Sequence, residues 1–286
     1  MAIRIQEVRV KSILTRTSGY LADVTSHSLQ PYRGCSYGRS LCGVGCYVQH
    51  NTLLTRGRAW GSFLDVRVDA AEVYIAQVVR ERRWARRSRG GFRIFFSSST
   101  DPFVPQERRY GVSGRVLAAM RHDPPDTLIV QTHSARVLDA LDVLVELARV
   151  CELRVQVSLE SDRETLPGLP PPASSVDARF EALAALRSAG IFCVATVSPL
   201  LPIAAPDAFF RRIAAAADAV VIDHFIGGDG SADGARTRRT ALPGAMAAVA
   251  PGSLCFGYRD RMLAVAREWM PGRVGVGPEG FAGRYA

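Results

Sequence analysis

PYRGCSYGRSLCGVGCYVQH, residues 31–50, holds Cys35, Cys42 and Cys46, half of the six cysteines of this 286-residue chain. Glycines 34, 38, 43 and 45 are threaded between them, and glycine lets a loop close tightly around a small object. Thiolates converging from one loop suit an iron–sulfur cluster or zinc. Three cysteines leave a coordination position open for chemistry. Adding His50 gives Cys-x6-Cys-x3-Cys-x3-His, a closed structural zinc set. Three unrelated thiols in a surface loop are the bland alternative. The loop alone does not choose among these readings.

Outward from the loop, the chain reads as alternating strands and helices. Residues 1–20 suit a leading arm or edge strand, and 21–30 a short strand entering the loop. The spacing of Val73, Ile75, Val78 and Val79 predicts a helix over 69–84, with Asp69 as its N-cap. Strands follow at 92–100, ending in polar residues, and at 127–132, 153–159, 191–197 and 219–225. The intervening helices are expected at 105–121, 135–150, 176–189 and 206–217. Such alternation means βαβ units and a parallel sheet. About six repeats are present, short of an eight-fold barrel. The expectation is an α/β partial (β/α)6 TIM-like barrel, with the core in 1–226. Residues 227–286 would form a lid loop and closing segment of the same domain.

In such folds the chemistry lies beyond the C-terminal ends of the strands. Those ends carry Ser97, Ser98, Ser99, Thr100 and Asp101, then Gln131 and His133. The later ones carry Ser158 and Glu160, Thr196 and Ser198, and Asp223 and His224. Any one Ser or Thr suits a helix cap; together they surround a polar mouth facing the cysteines. That favours an enzyme pocket over a zinc module.

Composition bounds the partners. The net charge of +9 invites a nucleic-acid reading. Yet Lys11 is the one lysine among 36 basic residues, a bias that a GC-rich genome also produces. The densest run, Arg80–Arg89, reads as the solvated end of a helix. No apolar run approaches the ~20 residues of a membrane span. The first residues do not read as a signal peptide, so clustered cysteines indicate metal ligation in a cytoplasmic protein.

The motifs and their order resemble the radical S-adenosylmethionine (radical SAM) superfamily, specifically its spore photoproduct lyase-like branch. QPYRGC…CYVQ (30–49) stands where that branch reads NPYRGC-x3-C-x2-CYAR. Thr100–Glu107 mirrors TDPYQPxE, Trp60–Val73 a WG…V…A-E run, and Gly234–Arg238 a GAR-T-R element. The cysteine spacing is stretched to C-x6-C-x3-C. Gly45 replaces an aromatic before the third cysteine, and His133 stands where a lysine is common.

The resemblance implies a [4Fe–4S] cluster on Cys35, Cys42 and Cys46 that cleaves S-adenosylmethionine to a 5′-deoxyadenosyl radical. It implies that Ser97–Asp101 face the methionine amino group, Ser158 and Glu160 the carboxylate or ribose, and Thr196 and Ser198 the adenine. His133, Asp223, His224, Arg236 and Arg238 would face substrate. Cys255 and Tyr258 are candidates for the radical chemistry, with Cys255 as a hydrogen-atom donor. The expected substrate is a small, nucleoside-like or natural-product molecule, rearranged or given sulfur. The expected partner is an external one-electron donor such as flavodoxin or ferredoxin. Nucleic-acid lesion repair is the alternative, and a Cys3His zinc-binding interaction protein the alternative outside enzymes.

Overall fold

The computed structural model describes residues 3–286. Its strands are β1 (Arg4–Val8), β2 (Leu14–Arg16), β3 (His27–Leu29), β4 (Tyr32–Gly34), β5 (Phe63–Arg67) and β6 (Arg93–Phe96). They continue with β7 (Thr127–Thr132), β8 (Glu152–Ser158), β9 (Cys193–Val197), β10 (Ala219–Ile222) and β11 (Val274–Val276). The large sheet runs β11-β10-β9-β8-β7-β6-β3-β2 and does not close on itself. From β3 to β11 all neighbours are parallel; β2 alone is antiparallel, on the β3 edge.

Apolar residues on these strands explain the sheet. Val130, Val155, Val157, Ala195 and Ile222 are fully buried under the helices, as parallel strands covered on a face require. The helices that cross between strands include Val112–His122, Leu141–Ala148, Val176–Ser188, Pro206–Ala216 and Phe256–Trp269. Six βα repeats therefore run from β3 to the helix Phe256–Trp269, as the alternation predicts. The sequence reading misses β11, a seventh parallel strand paired with β10.

Several local expectations are corrected. The helix at 69–84 extends over Ala70–Arg89, and Asp69 does not cap it. The Asp69 carboxylate instead accepts the Val10 amide at 3.1 Å, tying the N-terminal arm down. Ile75 and Val79 face outward; Tyr74, Val78 and Ala85 make the buried stripe. The helix at 105–121 is two, Glu107–Tyr110 and Val112–His122, broken at Gly111 where φ is 57°. The first half of 135–150 is a 3-10 turn, Ala135–Ala140. The Gly/Asp-rich stretch after β10 is structured, with a short helix at Ala235–Arg238 and a longer one at Leu242–Val249. Among the described residues no helix is long and apolar enough to cross a membrane.

A small sheet, β1-β5-β4, stands beside the large one. Strand β4 leads straight into Cys35, so pairing with β5 fixes where the cysteine loop begins. Gly34, at φ 83°, lies so close to Phe63 that a Cβ would sit 2.4 Å from its carbonyl oxygen. No other residue fits there.

Candidate active site

The cysteine loop is braced from three sides. Tyr32 donates its hydroxyl to Glu107, whose carboxylate also accepts the amides of Ser113 (3.1 Å) and Gly114 (3.0 Å). Glu107 thus caps the helix Val112–His122 and anchors the start of the loop. Arg33 and Arg58 both close on buried Asp65, at 2.6–2.8 Å. Burial alone would raise the Asp65 carboxyl, but the two guanidinium groups hold it below its usual range. Tyr37 donates to the Phe103 carbonyl at 2.9 Å and meets Ser134 Oγ at 3.0 Å. At Gly43 an added Cβ would lie 2.1 Å from the Tyr37 carbonyl oxygen. Tyr32, Arg33 and Glu107 therefore build a rigid cradle.

That cradle presents all three cysteines to one cavity of about 690 Å3 at the C-terminal ends of the large sheet. Burial pushes the thiols of Cys35 and Cys46 up to about 12, and that of Cys42 upward as well. Mutual repulsion among the three is a further cause. None is in a disulfide. His50 is outside the cavity lining, and its Nε2 is buried without a partner. Among the described residues, no three His, Cys, Asp or Glu side chains are gathered as a ready-made single-ion site. The donor set fits a three-thiolate cluster with one open position better than a closed Cys3His zinc.

Opposite the thiols stand the strand ends. After β6, Ser97 is buried and adopts φ 74°, a backbone region that disfavours a side chain. Its Oγ is buried without a hydrogen-bond partner. Ser98 Oγ accepts from Gln30 at 2.8 Å, and the Ser99 amide returns to the same glutamine at 3.4 Å. Asp101 is committed to structure: its carboxylate accepts from Thr132 Oγ1 (2.9 Å), the His133 amide (2.7 Å) and the Phe103 amide (2.8 Å).

After β7 and β8 lies a buried charge chain. His133 Nδ1 meets Glu160 at 2.7 Å, and Arg179 donates to the other Glu160 oxygen at 2.6 Å and to the Ser158 carbonyl at 2.7 Å. Burial opposes charge on both His133 and Glu160. The paired cation and anion nevertheless win, raising the imidazole and holding the carboxyl far down. Below His133, Gln131 donates to Ser158 (2.8 Å) and Thr196 (3.0 Å), leaving its own Oε1 buried and unpartnered.

The far wall is formed by Asp223, Tyr20 and Tyr47. Tyr20 donates to Asp223 at 2.8 Å, and burial lifts the Asp223 carboxyl to about 6. Tyr47, which follows Cys46 directly, is pushed up to about 12 by burial and the neighbouring thiol. His224 has both ring nitrogens engaged by backbone, Nε2 with the Ser253 carbonyl (2.9 Å) and Nδ1 with the Ile226 amide (3.1 Å). No nitrogen of His224 is left for a substrate. Gly228, Asp229, Gly230, Arg236, Thr237 and Leu242 close the cavity from the segment after β10.

The expected residues therefore divide. Cys35, Cys42, Cys46, Ser97–Asp101, His133, Ser158, Glu160, Ser198, Asp223, His224 and Arg236 line one cavity. Thr196 lies one layer beneath it, fully buried. Arg238 does not reach it: its guanidinium lies over Phe225 and donates to the Asp233 carbonyl at 3.0 Å. Cys255 is exposed and outside the lining, and Tyr258 spends its hydroxyl on the Ile203 amide at 2.7 Å. The structure brings neither to the cavity. Tyr20, Gln30, Trp60 and Arg67 line it without having been singled out. For Arg67 a signal existed: it is a charge ending the strand pattern FLDVR beside the cysteine loop.

No known family profile matches the chain. Uncharacterized proteins of Mycobacterium tuberculosis and Mycobacterium bovis are 26% identical to it over 208 residues. The match covers 70% of this chain and 57% of theirs, so the chain spans just over half the length of these curated relatives. Among solved structures, a spore photoproduct lyase variant with bound AdoMet and dinucleoside spore photoproduct is similar, with a TM-score of 0.62 at 14% identity. That likeness covers 95% of this chain and 80% of the other. A spore photoproduct lyase complexed with dinucleoside spore photoproduct gives 0.61 at 15% identity, over 95% and 81%.

Proposed function

From the fold these comparisons carry, the partial barrel of the radical SAM type, we propose that the chain is a radical SAM enzyme acting on a small molecule. The observation that supports this most is the convergence of three free thiols and a ring of polar strand ends on one cavity. Cys35, Cys42 and Cys46 would hold a [4Fe–4S] cluster, whose open position suits S-adenosylmethionine. When bound, this pair supplies one-electron cleavage to a 5′-deoxyadenosyl radical that takes hydrogen from substrate.

The chain's own residues have narrower tasks. Ser97, Ser98 and Ser99 offer hydroxyl and backbone groups to the methionine amino end. Glu160 and Ser158, stiffened by Arg179, suit the ribose or carboxylate, and Ser198 lies by strand order toward the adenine. Tyr20, Asp223 and Arg236 form a polar wall for the substrate. The segment 227–244 covers the mouth and keeps water from the reacting atoms. An external donor such as flavodoxin or ferredoxin would deliver the electron.

A small substrate suits a cavity in the usual ligand range of ~300–1,000 Å3. The dinucleoside bound by the similar lyase favours a second reading, repair of a nucleic-acid lesion. Anaerobic incubation with S-adenosylmethionine and a reductant tests the first requirement. Wild type should release 5′-deoxyadenosine and methionine, the Cys42→Ala variant neither, and His50→Ala both. Cluster-loaded protein that never cleaves S-adenosylmethionine would overturn the proposal.

A further inference from the structure

Two arginines line the cavity, Arg67 and Arg236, and among the described residues neither forms an ion pair. Arg67 is the deeper. It ends β5, the strand beside the entrance to the cysteine loop, and is half-buried, whereas Arg236 is exposed at the mouth. The Arg67 guanidinium donates to the Gln30 carbonyl at 3.0 Å. The nearby carboxylate, Asp65, is saturated by Arg33 and Arg58. Burial and the neighbouring Arg33 lower the Arg67 guanidinium to about 10, and Asp65 opposes them only in part.

Other groups in the same lining are equally unspent. Trp60 Nε1 and Ser97 Oγ are buried without partners, and Gln30, whose carbonyl accepts from Arg67, reaches Ser98 and Ser99 with its side chain. A half-buried cation without an anion costs stability, and unsatisfied buried groups in the same lining add to that cost. Such an arrangement is retained where a ligand completes it. A guanidinium with spare planar N–H groups matches a phosphate or carboxylate.

We propose that Arg67 is an oxyanion subsite for the substrate, which accordingly carries a phosphate or carboxylate group. The proposal rests on the cavity being the substrate site of the enzyme described above. It narrows the substrate from small and nucleoside-like to anionic, with Arg236 available at the mouth for a second negative group.

The test uses the anaerobically prepared, cluster-loaded chain, with inorganic phosphate, acetate and S-adenosylmethionine titrated separately by calorimetry. Either anion should bind saturably to wild type, phosphate indicating a phosphorylated and acetate a carboxylated substrate. Binding should weaken by roughly tenfold or more in Arg67→Gln, the loss expected for a charge-assisted contact. Arg67→Lys, which keeps the charge but not the fork, should fall between the two and guards against misfolding. Arg83→Gln, on the outer helix, should match wild type. S-adenosylmethionine affinity should be unchanged in every variant. Equal anion binding in wild type and Arg67→Gln would overturn the proposal. So would loss of S-adenosylmethionine affinity alone, which would assign Arg67 to the cofactor. Failure to assemble a cluster at all, read from iron content and colour before titration, would instead count against the enzyme reading.

Discussion

The arginines of the outer helix and those of the cavity carry the same charge under opposite conditions. On the helix Ala70–Arg89, Arg80 is bonded to Glu81, Arg82 to Asp123 and Arg86 to Asp126. Arg89 reaches the carbonyls of Ala22 and Thr17. In the cavity, Arg67 and Arg236 have no carboxylate partner among the described residues. The run that looks most basic in the sequence is thus largely committed to holding the fold. Arg67, inconspicuous in sequence, is the residue we propose meets an anion. Charge density along a chain does not locate an anion site; the absence of a local counter-charge does.

The largest expected effect lies on the outer side. Glu81 is buried and bound by Arg16 (2.9 Å), Arg80 (2.8 Å) and His27 (3.2 Å). Burial would raise its carboxyl, but these partners hold it at about 2. Glu81→Gln should cost about 2 kcal/mol, a figure reduced because Arg16 and Arg80 are partly in water. With its folded value below the unfolded one, this stability is present above about pH 4.3 and is lost as pH falls toward 2. Denaturant unfolding at pH 7 and pH 3 checks both statements; an unchanged midpoint at pH 7 would mean the outer charges are ornamental.

Asp223 has the opposite sign. Burial holds its carboxyl at about 6, above the unfolded value. The stability of the protonated form is therefore complete below about pH 4 and is lost as pH rises through 6. Asp223→Asn should be more stable than wild type at pH 7.5, by on the order of 2 kcal/mol, with the difference vanishing near pH 4. Identical pH profiles would place Asp223 in contact with a stronger donor than Tyr20.

Arg67→Met should be smaller again and stabilising, by about 1 kcal/mol or less, since it removes an unneutralised cation from a half-buried place. Destabilisation of similar size would mean the Gln30 contact, not a ligand, explains the residue. Smallest is the effect of Arg83→Gln with Arg87→Gln. These exposed changes should leave stability essentially unaltered, and oligonucleotide binding should be weak and vanish as salt rises. A steep linear salt slope reduced by the pair would restore the helix as a nucleic-acid surface.

Much of the barrel was legible because it repeats. Strand β7 falls on Thr127–Thr132 as read, since a continuous apolar run between helix signals has no competing solution. The cysteine loop was legible by composition, and the mouth by the polar residues ending each strand. What was not legible depends on contacts distant in sequence. Ile75 and Val79 have helical spacing, yet the core lies on the Tyr74–Val78 side, which periodicity alone does not orient. Strand β11 is three residues long and exists because β10 offers an edge. Tyr20 enters the site by reaching across 203 residues to Asp223. Cys255 looked reactive as a thiol in a glycine-flanked stretch, but it lies at the surface.

The central claim is that three thiols hold an iron–sulfur cluster, and metal analysis of anaerobically purified protein tests it most directly. Iron and sulfide should each approach four per chain in wild type and in His50→Ala, and fall to near zero in Cys35→Ala, Cys42→Ala and Cys46→Ala. One tightly held zinc per chain without sulfide, lost on changing His50, would contradict it.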